Sequence, residues 1–527
     1  MLSSKAFADA FYGKSKTILE KEILPQYLPA CRWFAGKSRE IHELEIFEDI
    51  LFNGITSVAH ILMIRVSYQD GLPERYMLPV SFTPAPDPDY PFAIIAKIKV
   101  GGEEGIIYDA TYDDSFRAAL LSFIISGKSL NGSNGQLIAV YERSSKYNDP
   151  SCDYIKSSQV IKTDQSNSSL LYEDKLILKL FRKLDEGINP DIEMVRFIYA
   201  SFHDESIPFC MGFVEYRQTN HSEPIFIGNL QRYVKNEGDA WSFTIGNITR
   251  YYENVLSSES SASDIITKNM LDVRYETIPD ILIKLIGIRF IEMVAQLGKT
   301  TGELHLTLAS HPDFTPEPFS TVYQRSLYQS MQNTTKRHFE LLRKSLNLLP
   351  DAVKEDALNV LNYEKKVLRL FKSIVDMKLT STRIRIHGDY HLGQVLCRGN
   401  DFVVIDFEGE PLLSLSERRL KRSPLRDVAC MIRSFHYASF SALSVFTQLE
   451  LKTWADLWYF YISGIFISSY MDKVKSAEFM SVERAEIEGL LRIFLLEKAV
   501  YELGYELSNR PEWVSVPLKG IVDFLSV

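Results

Sequence analysis

Two short blocks constrain this chain more than anything else in it. His387-Gly388-Asp389-Tyr390-His391-Leu392-Gly393-Gln394 is followed by Val403-Val404-Ile405-Asp406-Phe407-Glu408. Each joins an apolar or β-branched segment to a carboxylate in a polar turn, and Asp389 stands five positions before the amide of Gln394. A single Asp at a strand end is most often structural, closing a strand of an α/β domain. Two such blocks, in this order and at this offset, supply what phosphoryl transfer needs: a carboxylate to orient an attacking hydroxyl, and oxygen ligands to hold Mg²⁺ on the phosphates.

The same offset separates the base from the metal-binding amide in kinase catalytic loops, and Asp406-Phe407-Glu408 falls where those loops are followed by a metal-binding Asp. The chain therefore reads as a small-molecule kinase. Asp389 is the expected base, and Gln394 and Asp406 are the expected Mg²⁺ ligands. His387 and His391 have no third nitrogen or thiolate nearby in sequence, so they are expected to hold the loop by hydrogen bonds. Asp427 is expected to brace it.

Length and charge bound the rest. At 527 residues the chain is too long for one ordinary core, so two or three domains are expected. A net charge of -9 argues against broad nucleic-acid binding, and ATP must be met by local cations and metal. Cys31, Cys152, Cys210, Cys397 and Cys430 are scattered, odd in number and without a C-x-x-C pair, as suits free thiols in a reducing cytoplasm. Residues 1–21 carry Lys5, Asp9, Lys14 and Lys16 without an uninterrupted apolar run, so no signal peptide is expected. The best membrane candidate, 457–471, lies between Asp456 and Asp472 and is short for a span of roughly 20 residues. It reads as a buried helix, and no membrane partner is expected.

The first part of the chain reads as strands at 44–50, 56–68, 76–82 and 93–100, with Asn53-Gly54 and Asp70-Gly71 as turn signals. Residues 83–89 read as a rigid Pro-rich loop, 113–126 as a helix, and 131–135 and 144–158 as breaks. A second β-rich stretch runs from 159 to about 234, with a helix at 192–202. After Trp241 helical periods dominate, at 278–309, 320–346, 350–374, 449–473 and 482–507. These expectations give an N-terminal cap subdomain (1–110), an intermediate nucleotide-binding N-lobe (111–235) and a helical C-lobe with the catalytic loop and acceptor site (236–527). The expected fold class is α+β: a bilobal protein-kinase-like fold with a β-rich cap and N-lobe and a mostly helical C-lobe.

Lys179 is the single charge in the apolar strand pattern Leu176-Ile177-Leu178-Lys179-Leu180-Phe181. A strand interior accepts a lysine only where it faces water or an anion, and the position suits a contact to the α- and β-phosphates of ATP. Glu193, on the helix that begins near Pro190, is the expected ion-pair partner. No G-x-G-x-x-G is present. Instead the hydroxyl and amide run 164–169, with Asn167 and Ser168, offers phosphate donors before the lysine strand. The segment 230–234, with Gln231 and Val234, is the expected connector whose backbone meets the adenine edge.

Several further segments resemble the bacterial maltokinases. Arg32-Trp33-Phe34-Ala35-Gly36-Lys37-Ser38-Arg39 resembles their opening signature, and so do Gln165 to Ser168 with the lysine strand, Asn189-Pro190-Asp191, and Asn236-Glu237-Gly238-Asp239-Ala240-Trp241. The runs 297–305, 387–394, 497–506 and 509–513 continue the resemblance in family order. It implies an aminoglycoside-phosphotransferase-like fold with an added N-terminal cap. It also implies transfer from ATP to maltose, giving α-maltose 1-phosphate for α-glucan synthesis alongside a trehalose synthase partner. On this analogy Glu408 supports the metal, and His387, Lys498, Tyr501 and Tyr505 face the sugar. Gly302, Ala35 and Ala240 depart from the family's usual residues without touching the chemistry. Two alternatives stay open: the same fold acting on another sugar such as glucosamine, and a silent nucleotide-binding pseudokinase. Against the second, Lys179, Asp389, Gln394 and Asp406 are all present.

Overall fold

The computed structural model describes residues 2–37, 39–53, 58–84, 91–142, 155–161, 167–202, 207–219, 223–262, 265, 267–411, 413–446 and 451–526. Most of the Pro-rich loop, most of the break at 144–158 and residues 164–166 of the expected phosphate loop lie outside the described residues. The chain divides into two compact units, Met1–Ala200 with Ile207–Lys235 and Pro411–Leu415, and Ser201–Ser206 with Asn236–Glu410 and Ser416–Val527.

The first unit contains two sheets. One runs in the order Leu2–Ser4, Ile94–Val100, Glu103–Asp109, Glu74–Thr83, Val58–Tyr68, Ile41–Asn53, with Lys183–Leu184 paired to Glu74–Thr83. Side chains alternate across a strand, and here both faces are covered. Leu62, Ile64 and Val66 pack with Leu19, Leu24, Leu28 and Phe34 from the N-terminal helical segment. Ile61 and Met63 pack instead with Leu170, Leu178 and Leu180 of the second sheet. That double burial explains why the Val58–Tyr68 strand reads as a nearly unbroken apolar run.

The second sheet is antiparallel, in the order Ser129–Asn131, Gly135–Tyr141, Cys210–Gln218, Ile225–Arg232, Leu176–Phe181, Asn167–Tyr172, Ser158–Ile161. The break expected at 131–135 is its first hairpin turn. Buried Glu48 of the first sheet holds that turn, accepting Ser133 N and Asn134 N at 2.8 Å and the Tyr216 hydroxyl at 2.6 Å. The lysine strand Leu176–Phe181 lies in the sheet interior, flanked by Asn167–Tyr172 and Ile225–Arg232.

The second unit is mostly helical, with the segments 387–394 and 403–408 set among the helices. The helix expected at 278–309 is two, Asp280–Ile286 and Ile288–Ala309, because Gly287 adopts a positive φ of 92° between them. The 350–374 stretch likewise divides at Tyr363 into Asp351–Asn362 and Glu364–Asp376. Helices Ala240–Leu256 and Leu425–Leu443 escaped the periodicity reading. The latter buries most of its residues, from Leu425 to Ala442. Gly302 has a packing reason: a Cβ there would stand 2.8 Å from Lys473 Cβ on helix Leu451–Val474. That helix contains the former membrane candidate and buries Trp458, Phe466 and Tyr470. Among the described residues no helix is long and apolar enough to cross a membrane, and the four described cysteines are free thiols.

Candidate active site

The first block forms a loop held from below. Asp427, 1% exposed at the start of helix Leu425–Leu443, accepts His387 N at 2.8 Å and Gly388 N at 3.0 Å. His305 adds a contact from its Nε2 at 3.1 Å, and its Nδ1 lies 3.0 Å from the Tyr470 hydroxyl. Burial pushes the Asp427 carboxyl up, but these hydrogen bonds, led by His305, outweigh it and hold the group below the usual range. The expected brace is thus in place.

His387 requires a correction. It is 1% exposed, with its ring between Tyr390 and Phe407. Its Nε2 donates to Ile405 O at 2.9 Å and its Nδ1 accepts Asp389 N at 3.3 Å. Both ring nitrogens are used inside the loop, so His387 braces it and does not face a substrate. His391 Nδ1 accepts Gly393 N at 3.1 Å, and burial, followed by the nearby Lys498 charge, lowers its pKa to about 4.

Asp389 emerges from this brace with its side chain 22% exposed. Lys498 Nζ stands 3.8 Å from Asp389 Oδ1 and 3.7 Å from Glu410 Oε2. Tyr501, on the same helix Arg484–Asn509, donates its hydroxyl to Glu410 Oε1 at 2.6 Å, and its ring lies 4.8 Å from Lys498 Nζ. Burial raises the Asp389 pKa, and Lys498 pulls it back without cancelling the rise. Burial alone would lower the Lys498 pKa, but Cys430, Glu410 and Asp389 overcome it and keep the ammonium charged. Four side chains from three chain segments therefore converge on one patch. Glu410 was missed in the sequence, although carboxylates at 406, 408 and 410 recur at every second position. Tyr505 is 39% exposed beneath the Arg510 guanidinium, and among the described residues no hydrogen bond joins it to this patch.

The second block turns at Asp406, a non-glycine residue with a positive φ of 68°. That conformation costs about 1–3 kcal/mol and is held only where its surroundings impose it, which is common at functional sites. Gln394 Nε2 donates to Asp406 Oδ2 at 2.8 Å, and Gln394 Oε1 is buried with no hydrogen-bond partner among the described residues. An orphaned amide oxygen beside a carboxylate is a hard-oxygen pair. Among the described residues no three His, Cys, Asp or Glu side chains gather for a metal. Mg²⁺ needs no such cage, since it takes one or two protein oxygens and completes its shell with phosphates and water. The residues fit that ion. Glu408 follows on the same turn, half-buried, its carbonyl 3.4 Å from Arg418 Nη1.

In the first unit, Lys179 is buried and lies 3.3 Å from Asp191 Oδ2. Asp191 is 0% exposed and also accepts Asn229 Nδ2 at 3.0 Å and Gln231 Nε2 at 3.2 Å. Asp191, two positions before the expected partner Glu193 on helix Pro190–Phe202, was not anticipated as a partner of Lys179. Gln231 is not part of the connector: it lies inside the sheet, opposite both Ile177 and Cys210. The chain leaves the sheet after Arg232, and Tyr233 N still donates to Lys175 O at 2.7 Å before Val234. Asn167 pairs with Phe181 and Ser168 with Leu180, so Asn167 and Ser169 share the Lys179 face while Ser168 lies on the other.

A two-sheet unit with a buried strand lysine, and a helical unit with a braced Asp loop followed by a strained Asp turn, define a kinase-like α+β protein. Comparison with known proteins agrees. Residues 27–113 match the maltokinase N-terminal cap domain. A glucosamine kinase of Mycolicibacterium smegmatis is 23% identical over 363 residues, 69% of this chain and 78% of that protein. A glucosamine kinase of Streptacidiphilus jiangxiensis is 20% identical over 305 residues, 58% of this chain and 59% of that protein. The solved structure of a glucosamine kinase in complex with glucosamine, ADP and inorganic phosphate superposes with a TM-score of 0.58 at 16% identity, covering 95% of this chain and 99% of that one. A crystal form of glucosamine kinase gives 0.61 at 16% identity, with 91% and 93% covered. At such identity the structural likeness establishes the fold. The cap-domain match and the likeness to glucosamine kinases together support a maltokinase-like kinase family.

Proposed function

We propose that the protein transfers the γ-phosphoryl group of ATP to the anomeric hydroxyl of maltose, forming α-maltose 1-phosphate for α-glucan synthesis. In this reading residues 1–110 are the cap, 111–235 bind the nucleotide, and 236–527 carry the catalytic loop and acceptor site. Lys179, kept in place by Asp191, meets the α- and β-phosphates, and the backbone around Val234 meets the adenine. Gln394 and Asp406, with Glu408 in support, are the residues that would hold Mg²⁺, which supplies charge neutralisation on the phosphates when bound. Asp389 accepts a hydrogen bond from the attacking hydroxyl and takes its proton late in the transfer. An anomeric hydroxyl is more acidic than an ordinary alcohol, so a modest carboxylate base suffices. Positioning and charge neutralisation do most of the remaining work.

The observation that supports the acceptor assignment is the Lys498 ammonium held beside Asp389, where two carboxylates face one cation. Asp389 and Glu410 share the Lys498 ammonium, and Tyr501 already donates to Glu410. A neutral sugar finds donors and acceptors there. A protonated amino sugar would bring a second cation against Lys498, although it would also offset the remaining negative charge of the two carboxylates. The names of the relatives favour glucosamine as the competing acceptor, so the test is a direct competition. Purified protein with ATP and Mg²⁺ is offered maltose, glucose, glucosamine and buffer alone, and sugar phosphates are resolved by mass and NMR. Maltose 1-phosphate as the main product supports the proposal, and preferential phosphorylation of glucosamine replaces it.

A further inference from the structure

The lysine strand does not end with its sheet. Leu176–Phe181 belongs to the second sheet, yet Lys183–Leu184 pairs with Glu74–Thr83 of the first. Arg182 sits at the crossing and is 1% exposed. Its carbonyl accepts Met77 N at 2.8 Å, which ties the backbone to the first sheet. Its guanidinium makes three further contacts: Nη2 donates to Asp109 Oδ2 at 2.7 Å and to Thr111 Oγ1 at 3.0 Å, and Nε donates to Ser168 Oγ at 2.8 Å. Its Cζ also lies 4.9 Å from the centre of the Trp33 ring. One buried cation thus joins the Arg32-Trp33 segment, the end of strand Glu103–Asp109, and the first residues of strand Asn167–Tyr172.

The register gives this junction a consequence. Ser168 lies on the Arg182 face, and its neighbours Asn167 and Ser169 share the opposite face with Lys179. A planar guanidinium with donors in a fixed fork locks Ser168 in one orientation, which fixes where Asn167 enters the sheet relative to the lysine. We propose that Arg182 is a positioning residue for nucleotide binding, setting Asn167 and the Lys179 strand against the first sheet, with Asp109 and Trp33 as its anchors. This rests on the nucleotide role proposed for Lys179 but not on the identity of the acceptor sugar.

The experiment measures ADP affinity directly by titration calorimetry, with no acceptor present, and maltose KM separately at saturating ATP. Arg182→Lys keeps the charge but loses the fork, and Asp109→Asn keeps the shape but weakens the anchor. Small displacements of positioning groups can cost up to about 100-fold, so ADP affinity should fall by roughly tenfold in Arg182→Lys and by about threefold or more in Asp109→Asn. Maltose KM should stay within about twofold of the parent. A folded Arg182→Lys protein with unchanged ADP affinity overturns the proposal, as does an equal loss on the nucleotide and sugar sides. Should Arg182→Lys fail to fold, Asp109→Asn decides: unchanged ADP affinity overturns the proposal, and a selective nucleotide loss supports it. A parent protein that does not bind ADP would overturn the nucleotide reading itself, a different result from a parent that binds ADP and loses it selectively in the variants.

Discussion

Gln394 and Asp406, twelve residues apart in sequence, are joined by a 2.8 Å hydrogen bond from the glutamine amide to Asp406 Oδ2. The bond turns the Gln394 carbonyl oxygen away from Asp406, where it is buried and without a partner among the described residues. Asp406 itself is held at a positive φ of 68°. Two hard oxygens thus lie on neighbouring side chains, one of them on a residue held in a conformation that costs about 1–3 kcal/mol.

Asp406→Ala and Asp406→Gly should both abolish turnover at any maltose concentration, and excess Mg²⁺ or Mn²⁺ should not restore it. The two should differ in stability: glycine relieves the left-handed strain that alanine retains, so Asp406→Gly should be more stable by about 1 kcal/mol. Chemical denaturation beside activity assays checks both halves. Metal rescue to full activity would make Asp406 a weak ligand at most.

Asp389→Asn should keep the fold and ADP affinity while turnover falls by roughly 100-fold or more, the scale of lost base catalysis. The substitution is nearly isosteric, and its loop is held through Asp427 and His387 and not through the Asp389 carboxylate. Near-parental turnover in a folded variant would remove Asp389 from the mechanism.

The pH dependence follows from the same residue. Asp389 must be ionised to act, and burial raises its pKa above the usual 3.8. Turnover should therefore be lost, as pH falls, on an acidic limb that lies above the ordinary Asp range. Lys498 is the cation that most opposes this rise. In Lys498→Met the residual activity should show its acidic limb displaced to higher pH, because less attraction favours the carboxylate. A pH profile of kcat measured for both proteins gives the answer, and a displacement toward lower pH would contradict the electrostatics.

Tyr501→Phe removes one hydroxyl and with it the 2.6 Å bond to Glu410. A charge-assisted hydrogen bond contributes about 1.5–3 kcal/mol, so maltose KM should rise on the order of tenfold while ATP KM hardly moves. Tyr505→Phe, on an exposed ring away from Glu410, should have a smaller effect. Steady-state kinetics with each substrate varied separately distinguishes the two. Equal effects at both positions would give Tyr505 a role at the acceptor site comparable to that of Tyr501.

Strong local patterns made much of this protein legible in its sequence. Alternating or doubly buried strands marked the first sheet, apolar periodicity marked most long helices, and the fixed offset from Asp389 to Gln394 marked the braced Asp loop proposed as catalytic. A lone lysine in an apolar strand was equally visible, because burying a charge needs a reason. Tertiary structure decided the partners. Asp191 beside Lys179, Glu410 beside Lys498, and Arg182 between two sheets are pairings across 12, 88 and 73 residues, with Asp109 as the last partner. Periodicity reports which way a side chain faces along its own element, and carries no record of which distant element packs against that face. The sequence carried both readings of His387, as a brace from its own loop and at the sugar from the family resemblance, since the two have the same local sequence. Only the closing of the loop over Ile405 and Asp427 sent its nitrogens inward.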